Sequence, residues 1–262
     1  MDTAAALKQE VKSYWEGKPC GASVGTSPLY SLEFFEEIER SRYENEPFIH
    51  SFAQFTRWRE KRVLEIGCGA GTDSLQFARA GAELHSIDLT SAAVELTRRR
   101  LEVYGLDGEI RIADAENLPF PENNFDLVYS WGVLHHTPDT QKALAEVHRV
   151  LKCGGRFVIM LYNRHSLVSL HLYLNHALRA GRPFRTFKYL LANYMESAGT
   201  KAYTRRELRK MFCRFREVSF HPIITGWDAY RLPRFLLPAA LGFFQVATGS
   251  KLSDTPTAGQ LS

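Results

Sequence analysis

The stretch Val63-Leu64-Glu65-Ile66-Gly67-Cys68-Gly69-Ala70-Gly71-Thr72-Asp73 decides the fold of this chain. A short apolar run passes straight into three glycines spaced two apart, and Asp88 closes the next apolar run 21 residues after Gly67. Glycine lets the backbone turn tightly and approach a ligand that a Cβ would hold off. The helix that follows opens with N–H groups that have no partner inside the helix. A parallel-sheet protein presents backbone to an adenosine-containing cofactor in this way, and an acid at the tip of the second strand can accept from both ribose hydroxyls. A dinucleotide fingerprint needs glycine at position 72, where this chain has Thr72. The G-x-G-x-G form suits a ligand whose amino-acid end lies against the loop. A tight structural turn with a surface Asp would show the same glycines, but strand, helix and acid in register argue against it.

Outward from this loop, strands and helices alternate. The pattern predicts strands at Val63–Ile66, Glu83–Asp88, Glu109–Ala113, Phe125–Tyr129 and Arg156–Leu161. Between them it predicts helices at Thr72–Ala80, Ser91–Tyr104 (capped by Ser91) and Thr140–Leu151, with Gly154-Gly155 as the turn into the fifth strand. Strands that alternate with helices of this length make a doubly wound α/β protein, a parallel sheet with helices on both faces. After Tyr162 the rhythm breaks. Ser166–Ala180, Phe184–Tyr194 and Thr204–Phe212 read as helices, the last with Thr204 and Glu207 in capping-box spacing. A sixth strand is predicted at Glu217–Ile224 and a seventh at Leu241–Thr248. The division expected is a helical lid over 1–60, a core over 61–163, a helical cap over 164–216, final strands over 217–250 and a disordered tail over 251–262.

Composition is that of an ordinary globular chain, with 24% charged residues and a net charge of +4. That charge hides an asymmetry: residues 1–150 carry 16 Lys and Arg against 24 Asp and Glu, and residues 151–262 carry 17 against 5. A basic half attracts an acidic small molecule, an anionic lipid surface or nucleic acid; a solvated Arg-rich helical face would give the same count. No apolar run reaches the roughly 18 residues of a membrane span, and residues 1–10 lack the apolar stretch of a secretion signal. None of Cys20, Cys68, Cys153 and Cys213 stands in a C-x-x-C pair. Reduced thiols, no metal and a cytoplasmic location are therefore expected.

The blocks LEIGCGAG, SIDLT, ADAENLPFPENNFDLVYSWGVLHHTPD and RVLKCGGRFVI, in this order, resemble the class I S-adenosylmethionine-dependent methyltransferases. The likeness covers about residues 60–162 and is strongest to the ubiquinone/menaquinone-biosynthesis type, of the methyltransferase domain 11 group. It implies a Rossmann-like sheet of seven strands, the last antiparallel, with S-adenosyl-L-methionine as cofactor. By that resemblance Glu65, Gly67, Cys68 and Gly69 line the methionine end and Asp88 holds the ribose. Leu89, Asp114 and Ala115 reach the adenine, while Ser130 and Trp131 sit beside the sulfonium. Asp114 at the end of the third strand suits this physically, because ligands bind at that sheet edge; a helix N-cap is the alternative for it.

Methyl transfer from a sulfonium is an in-line displacement that needs a base only when the acceptor arrives protonated. The candidates are His136 beside His135, His165 after the fifth strand, and Tyr14 in the lid, with Trp15, Tyr43, Pro47 and Phe48 as further aromatic or rigid lid residues. Each has a packing alternative. In the cap, Tyr173, Phe184, Phe187, Tyr189, Tyr194 and Trp227 interleave with Arg179, Arg182, Arg185 and Lys188, which suits a flat or long acidic acceptor. Leu236–Phe244 adds apolar surface for lipid or for burial. The reading is a methyltransferase of a small molecule, acidic aromatic or lipid-like. No nucleic-acid partner is expected, and the oligomeric state is open. An NAD(P)-dependent oxidoreductase would share the glycines and Asp88 but leaves Thr72 and the Asp114 block unexplained. An RNA methyltransferase would use the basic half, but Ser130-Trp131-Gly132-Val133 stands where an N-P-P-Y-type motif would be.

Overall fold

The computed structural model describes residues 3–229 and 237–252. The tail from Ser253 and the side chain of Trp227 lie outside the described residues.

The segment before the first strand is helical: α1 (Thr3–Gly17), α2 (Leu32–Asn45) and α3 (Ile49–Ala53). Then follow β1 (Arg62–Ile66), α4 (Thr72–Arg79), β2 (Glu83–Asp88), α5 (Ser91–Val103), β3 (Glu109–Ile112), β4 (Phe125–Trp131), α6 (Thr140–Val150) and β5 (Leu151–Tyr162). The insertion holds α7 (Leu167–Tyr173), continued by a π-type turn over Leu174–Leu178, then α8 (Phe187–Tyr194) and α9 (Arg205–Met211). The chain closes with β6 (Phe215–Ile223), α10 (Gly226–Ala229) and β7 (Phe244–Lys251).

The seven strands lie in the order β3-β2-β1-β4-β5-β7-β6. All neighbours pair in parallel except β7, which runs antiparallel to both β5 and β6. Strand periodicity sends successive side chains to opposite faces. Phe157, Ile159 and Leu161 join one core with α6 and α9, and Val158, Met160 and Tyr162 join the other with α3, α4, α5, α7 and α8. This is the expected doubly wound architecture, with the helical insertion between β5 and β6. The chain order reverses between β1 and β4, and such a switch point leaves a crevice outside the strand ends.

Several boundaries differ from expectation for identifiable reasons. The cap of α5 is Thr90, whose side chain accepts from Ala93 N, whereas Ser91 is already helical and donates to Glu16. Residues 151–155 belong to β5 rather than to a helix end and a turn. The pairing with β4 jumps from Phe125↔Leu151 to Leu127↔Arg156, so a bulge absorbs the glycine pair there. Strand β4 runs on through Trp131, which places Ser130 inside the strand. Strand β7 starts at Phe244, three residues later than predicted. The caps of α2 by Ser31 and of α9 by the Thr204–Glu207 box form as the sequence indicates.

Candidate active site

A cavity of about 650 Å³ lies at the carboxyl ends of β1, β2, β3 and β4. Helices α1 and α2 and the segment from Pro19 to Val24 form its other wall. Its floor is the glycine loop. Gly67 has φ +85°, and a Cβ there would stand 2.1 Å from Val133 Cγ2 in the loop after β4. Gly69 has φ +54°, and its Cβ would meet nothing nearer than Cys20, at 3.4 Å. The first glycine is therefore demanded by packing and backbone together. The second keeps the loop's surface bare toward the cavity.

Three acids mark the strand tips. Asp88 accepts from Thr90 N (3.0 Å) and Thr90 Oγ1 (2.8 Å) through one oxygen and from Gly69 N (3.2 Å) through the other. Burial nevertheless pushes its carboxyl up. Asp114 accepts from Glu116 N at 2.9 Å, which fixes a turn rather than capping a helix, and its second oxygen receives Lys8 Nζ at 2.6 Å. Lys8 also reaches Glu116, so α1 is tied by one lysine to the tip of β3. Glu65 accepts from the hydroxyls of Ser74 and Ser86 and is almost wholly buried. Burial, reinforced by the nearby charge of Asp73, lifts its carboxyl to about 8.

A polar network not anticipated from sequence crosses the cavity wall. Asp73 accepts from Tyr129 Oη (2.8 Å), Tyr43 Oη (2.9 Å) and Arg42 Nη2 (3.0 Å). Arg42 also donates to Glu46 Oε1 at 3.1 Å, and Glu46 Oε2 accepts from Trp131 Nε1 at 2.6 Å. Burial raises the Glu46 carboxyl. The indole of Trp131 is thus held along its edge by Glu46 and on its face by Phe48, with ring centroids 6.0 Å apart. The sole sequence signal for this network was the i,i+4 pair Arg42/Glu46, which reads as an ordinary surface pair.

Glu65, Gly67, Cys68, Gly69, Asp88, Leu89, Asp114, Ala115, Trp131 and His136 all line the cavity. Ser130, His165 and Tyr14 do not, nor do Tyr43 and Phe48. Ser130 is fully buried and donates to the Ile66 carbonyl at 3.0 Å, so it ties β4 to β1. His165 is exposed beyond the end of β5, its backbone bonded to Asn163. Tyr14 packs edge-on against Trp15 under Lys18, and it is Trp15 that faces the cavity. Helical phase explains the last miss, since one residue along α1 turns the side chain by about 100°.

His136 is buried. Its Nδ1 is bonded to the hydroxyls of Ser197 (2.8 Å) and Thr200 (3.1 Å), and Trp15 packs edge-on to its ring. Among the described residues its Nε2 makes no hydrogen bond, and Glu196 Oε2 stands 3.7 Å from it. Burial pushes the ring down to about 3, so it stays neutral at pH 7. His135 is fully buried against Tyr162 and lies off the cavity. The cap residues Arg179, Arg182, Arg185, Lys188, Phe184 and Tyr189 also lie off the cavity. Among the described residues no group of His, Cys, Asp or Glu is placed to hold a metal ion.

Residues 64–159 match the family described as methyltransferase domain. The uncharacterized methyltransferase YcgJ of Bacillus subtilis (strain 168) is 34% identical over 55% of this chain and 58% of its own length. A fatty-acid O-methyltransferase of Mycolicibacterium smegmatis is 38% identical over 50% of this chain and 47% of its own. A demethylmenaquinone methyltransferase of Paenarthrobacter aurescens is 31% identical over 61% and 66%. The chain thus spans about half the length of the first of these relatives and up to two thirds of the last. In fold, the geranyl diphosphate C-methyltransferase of Streptomyces coelicolor A3(2) superposes with TM-score 0.62 at 16% identity, over 94% of this chain and 98% of that one. The bare loop and the acid-tipped strands lie in or beside residues 64–159, the segment that matches the methyltransferase domain, whose cofactor in the S-adenosylmethionine-dependent methyltransferases is S-adenosylmethionine.

Proposed function

We propose that this chain transfers a methyl group from S-adenosylmethionine to a neutral, lipid-like small molecule held in the cavity beneath α1 and α2. The observation that carries the reading is one continuous wall: the glycine loop, then Asp88, then Asp114, with Trp131 and His136 at the far end. A cavity of about 650 Å³ is within the usual range for a small-molecule site, about 300–1,000 Å³.

In this reading Glu65 and the backbone of Gly67, Cys68 and Gly69 receive the amino-acid end of the cofactor. Asp88 receives the ribose hydroxyls, and Leu89, Asp114 and Ala115 enclose the adenine. Asp88 has capacity for this, because each carboxylate oxygen can accept more than one hydrogen bond and its Oδ2 takes the Gly69 N–H at 3.2 Å. Asp114 shares its oxygen with Lys8, so the adenine amino group and Lys8 compete for it. Bound cofactor supplies an electrophilic methyl on a sulfonium. Trp131, clamped by Glu46 and Phe48, offers that cation an aromatic face. Holding reactants in line contributes as much as about 7–11 kcal/mol, and the rigid wall does this work.

His136 is a poor general base in this setting, because a catalytic base works best with its pKa near the operating pH. Its Nε2, which makes no hydrogen bond among the described residues, positions the acceptor instead. The charges lining the cavity argue against an anionic acceptor. Arg42 is held by Asp73 and Glu46, and Lys8 by Asp114 and Glu116. The acidic-acceptor expectation rested on the cap arginines, which lie elsewhere. The same displacement disfavours RNA, whose phosphates would find carboxylates at this wall.

The test incubates the protein with deuterated-methyl cofactor and a host extract split into lipid, polar and RNA fractions. Label is expected in the lipid fraction. Label confined to RNA, or no heat of cofactor binding in calorimetry, overturns the reading.

A further inference from the structure

The insertion carries a surface that the cavity does not use. From residue 164 to residue 195 the sequence holds five Arg and Lys and not one Asp or Glu. Helix α7 and its π-type continuation bury Ser169, Leu172 and Ala177. Their opposite side exposes Leu170, Leu174 and Leu178, each by more than 40%. Four-residue spacing keeps these leucines in one stripe. The stripe runs into a turn whose tip is Phe184, 96% exposed. Arg179, Arg182 and Lys188 flank that turn and are exposed as well. Among the described residues no carboxylate forms an ion pair with any of the three. Arg185 alone is turned inward, donating to the His176 carbonyl (3.1 Å) and Tyr194 Oη (2.8 Å).

We propose that this edge of the cap, the stripe Leu170–Leu174–Leu178 and Phe184 ringed by Arg179, Arg182 and Lys188, docks on the surface of an anionic phospholipid bilayer. A cationic rim around an exposed apolar stripe complements a surface that is anionic at the headgroups and apolar just beneath. Nucleic acid would satisfy the cations but has no place for three aliphatic side chains. Docking here keeps the chain peripheral: among the described residues no helix is long and apolar enough to cross a membrane. Helix α7 packs against α10, and Gly226 at the start of α10 lines the cavity. The docked edge is thus one element away from the site, and lipid-like acceptors would be delivered beside it. The docking itself stands whether or not the acceptor is a lipid, because it is measured without turnover.

The experiment floats the full chain with vesicles of phosphatidylcholine, with or without about 30% phosphatidylglycerol, at low and high salt. Binding is expected on the anionic vesicles alone, weakening with salt. At about 1 kcal/mol per cation near such a surface, R179Q/R182Q/K188Q lowers the partition coefficient roughly 100-fold. Phe184→Ser lowers it about tenfold or more at either salt concentration, as loss of a buried aromatic requires. Phe184 supports no packing, so this variant folds; unchanged cofactor affinity in calorimetry checks that. The proposal is overturned by absence of flotation with anionic vesicles, or by Phe184→Ser binding as well as wild type. It is equally overturned if a transfer-RNA pool competes the vesicles off and binds the Phe184→Ser variant undiminished.

Discussion

Cofactor binding at pH 7 is expected to expel a proton from Glu65. The carboxyl lies inside the sheet edge, bonded to two serine hydroxyls, with the Asp73 carboxylate as neighbour and Arg42 turned toward Asp73 and Glu46. Burial and the neighbouring Asp73 raise its pKa, so it holds its proton well above the usual carboxylate range. The amino-acid end of the cofactor brings an ammonium group to this wall. A cation within hydrogen-bond reach favours the carboxylate and returns Glu65 toward its ordinary range. Binding then releases protons, up to one per cofactor. Calorimetry in phosphate, HEPES and Tris at pH 7 reads this number directly, as the slope of observed enthalpy against buffer ionisation enthalpy. Glu65→Gln keeps the shape and removes the titrating group, so its slope should fall to near zero. Affinity should drop with it by about 10- to 100-fold, the worth of one hydrogen bond to a charged group, about 1.5–3 kcal/mol. A flat slope in the wild-type protein refutes the reasoning, as does an equal slope in Glu65→Gln.

The same carboxyl sets a pH dependence of stability without any cofactor. Its folded pKa stands above the unfolded value of 4.5, so the folded state binds the extra proton; that stabilisation is full below 4.5 and is lost as pH rises through about 8. Thermal midpoints should fall between pH 5 and 9 in wild type and fall less in Glu65→Gln. Asp88→Ala removes the acceptor for two ribose hydroxyls and should weaken cofactor binding roughly 100-fold; calorimetry within threefold of wild type would contradict the ribose assignment. Gly67→Ala should destabilise the fold, since its Cβ meets Val133 at 2.1 Å, and Gly67→Ala/Val133→Ala should recover part of the melting temperature. Gly69→Ala bears only the strain of a side chain at φ +54°, so it should melt above Gly67→Ala though below wild type, and it should bind cofactor at least tenfold more weakly, because its Cβ, whose nearest neighbour is Cys20 at 3.4 Å, stands at the cavity. Similar melting of Gly67→Ala and Gly69→Ala would remove the distinction.

Whatever depends on short-range periodicity was legible in the sequence. The strands β1 to β4 and their helices follow from apolar runs, glycines and caps that lie within a few residues of one another. The strand tips follow too, which is why Asp88 and Asp114 reach one cavity. What stayed hidden was set by contacts distant in sequence. Lys8 meets Asp114 across 106 positions, and Trp131 meets Glu46 across 85. No local signal marks either partner. Tyr14 against Trp15 is a matter of helical phase, and an aromatic pair offers no polar contrast to fix it. His165 failed because the position after β5 turns to solvent, although the strand itself points at the sheet edge.

The basic half of the chain shows why composition alone misassigns a site. Its charge suggested an acidic acceptor, yet the cavity wall is rich in carboxylates: Glu46, Glu65, Asp73, Asp88 and Asp114 face Lys8, Lys12 and Arg42. Two of those cations are each committed to two acids. An anion drawn to Arg42 would displace a carboxylate and leave it buried and unpaired, which costs several kcal/mol. In the reading proposed above the cofactor's sulfonium and ammonium meet no such penalty, and its carboxylate is left the free N–H groups of the glycine loop and the start of α4. Arg179, Arg182 and Lys188, which form no ion pair among the described residues, keep their charge for the surface. Placing the acids inward and the arginines outward therefore serves two anion–cation problems at once, the cofactor within and the headgroups without. Reversing it, by Glu46→Lys in the cavity, should abolish cofactor binding and leave vesicle flotation intact; loss of both together would show that the two sites are not separate.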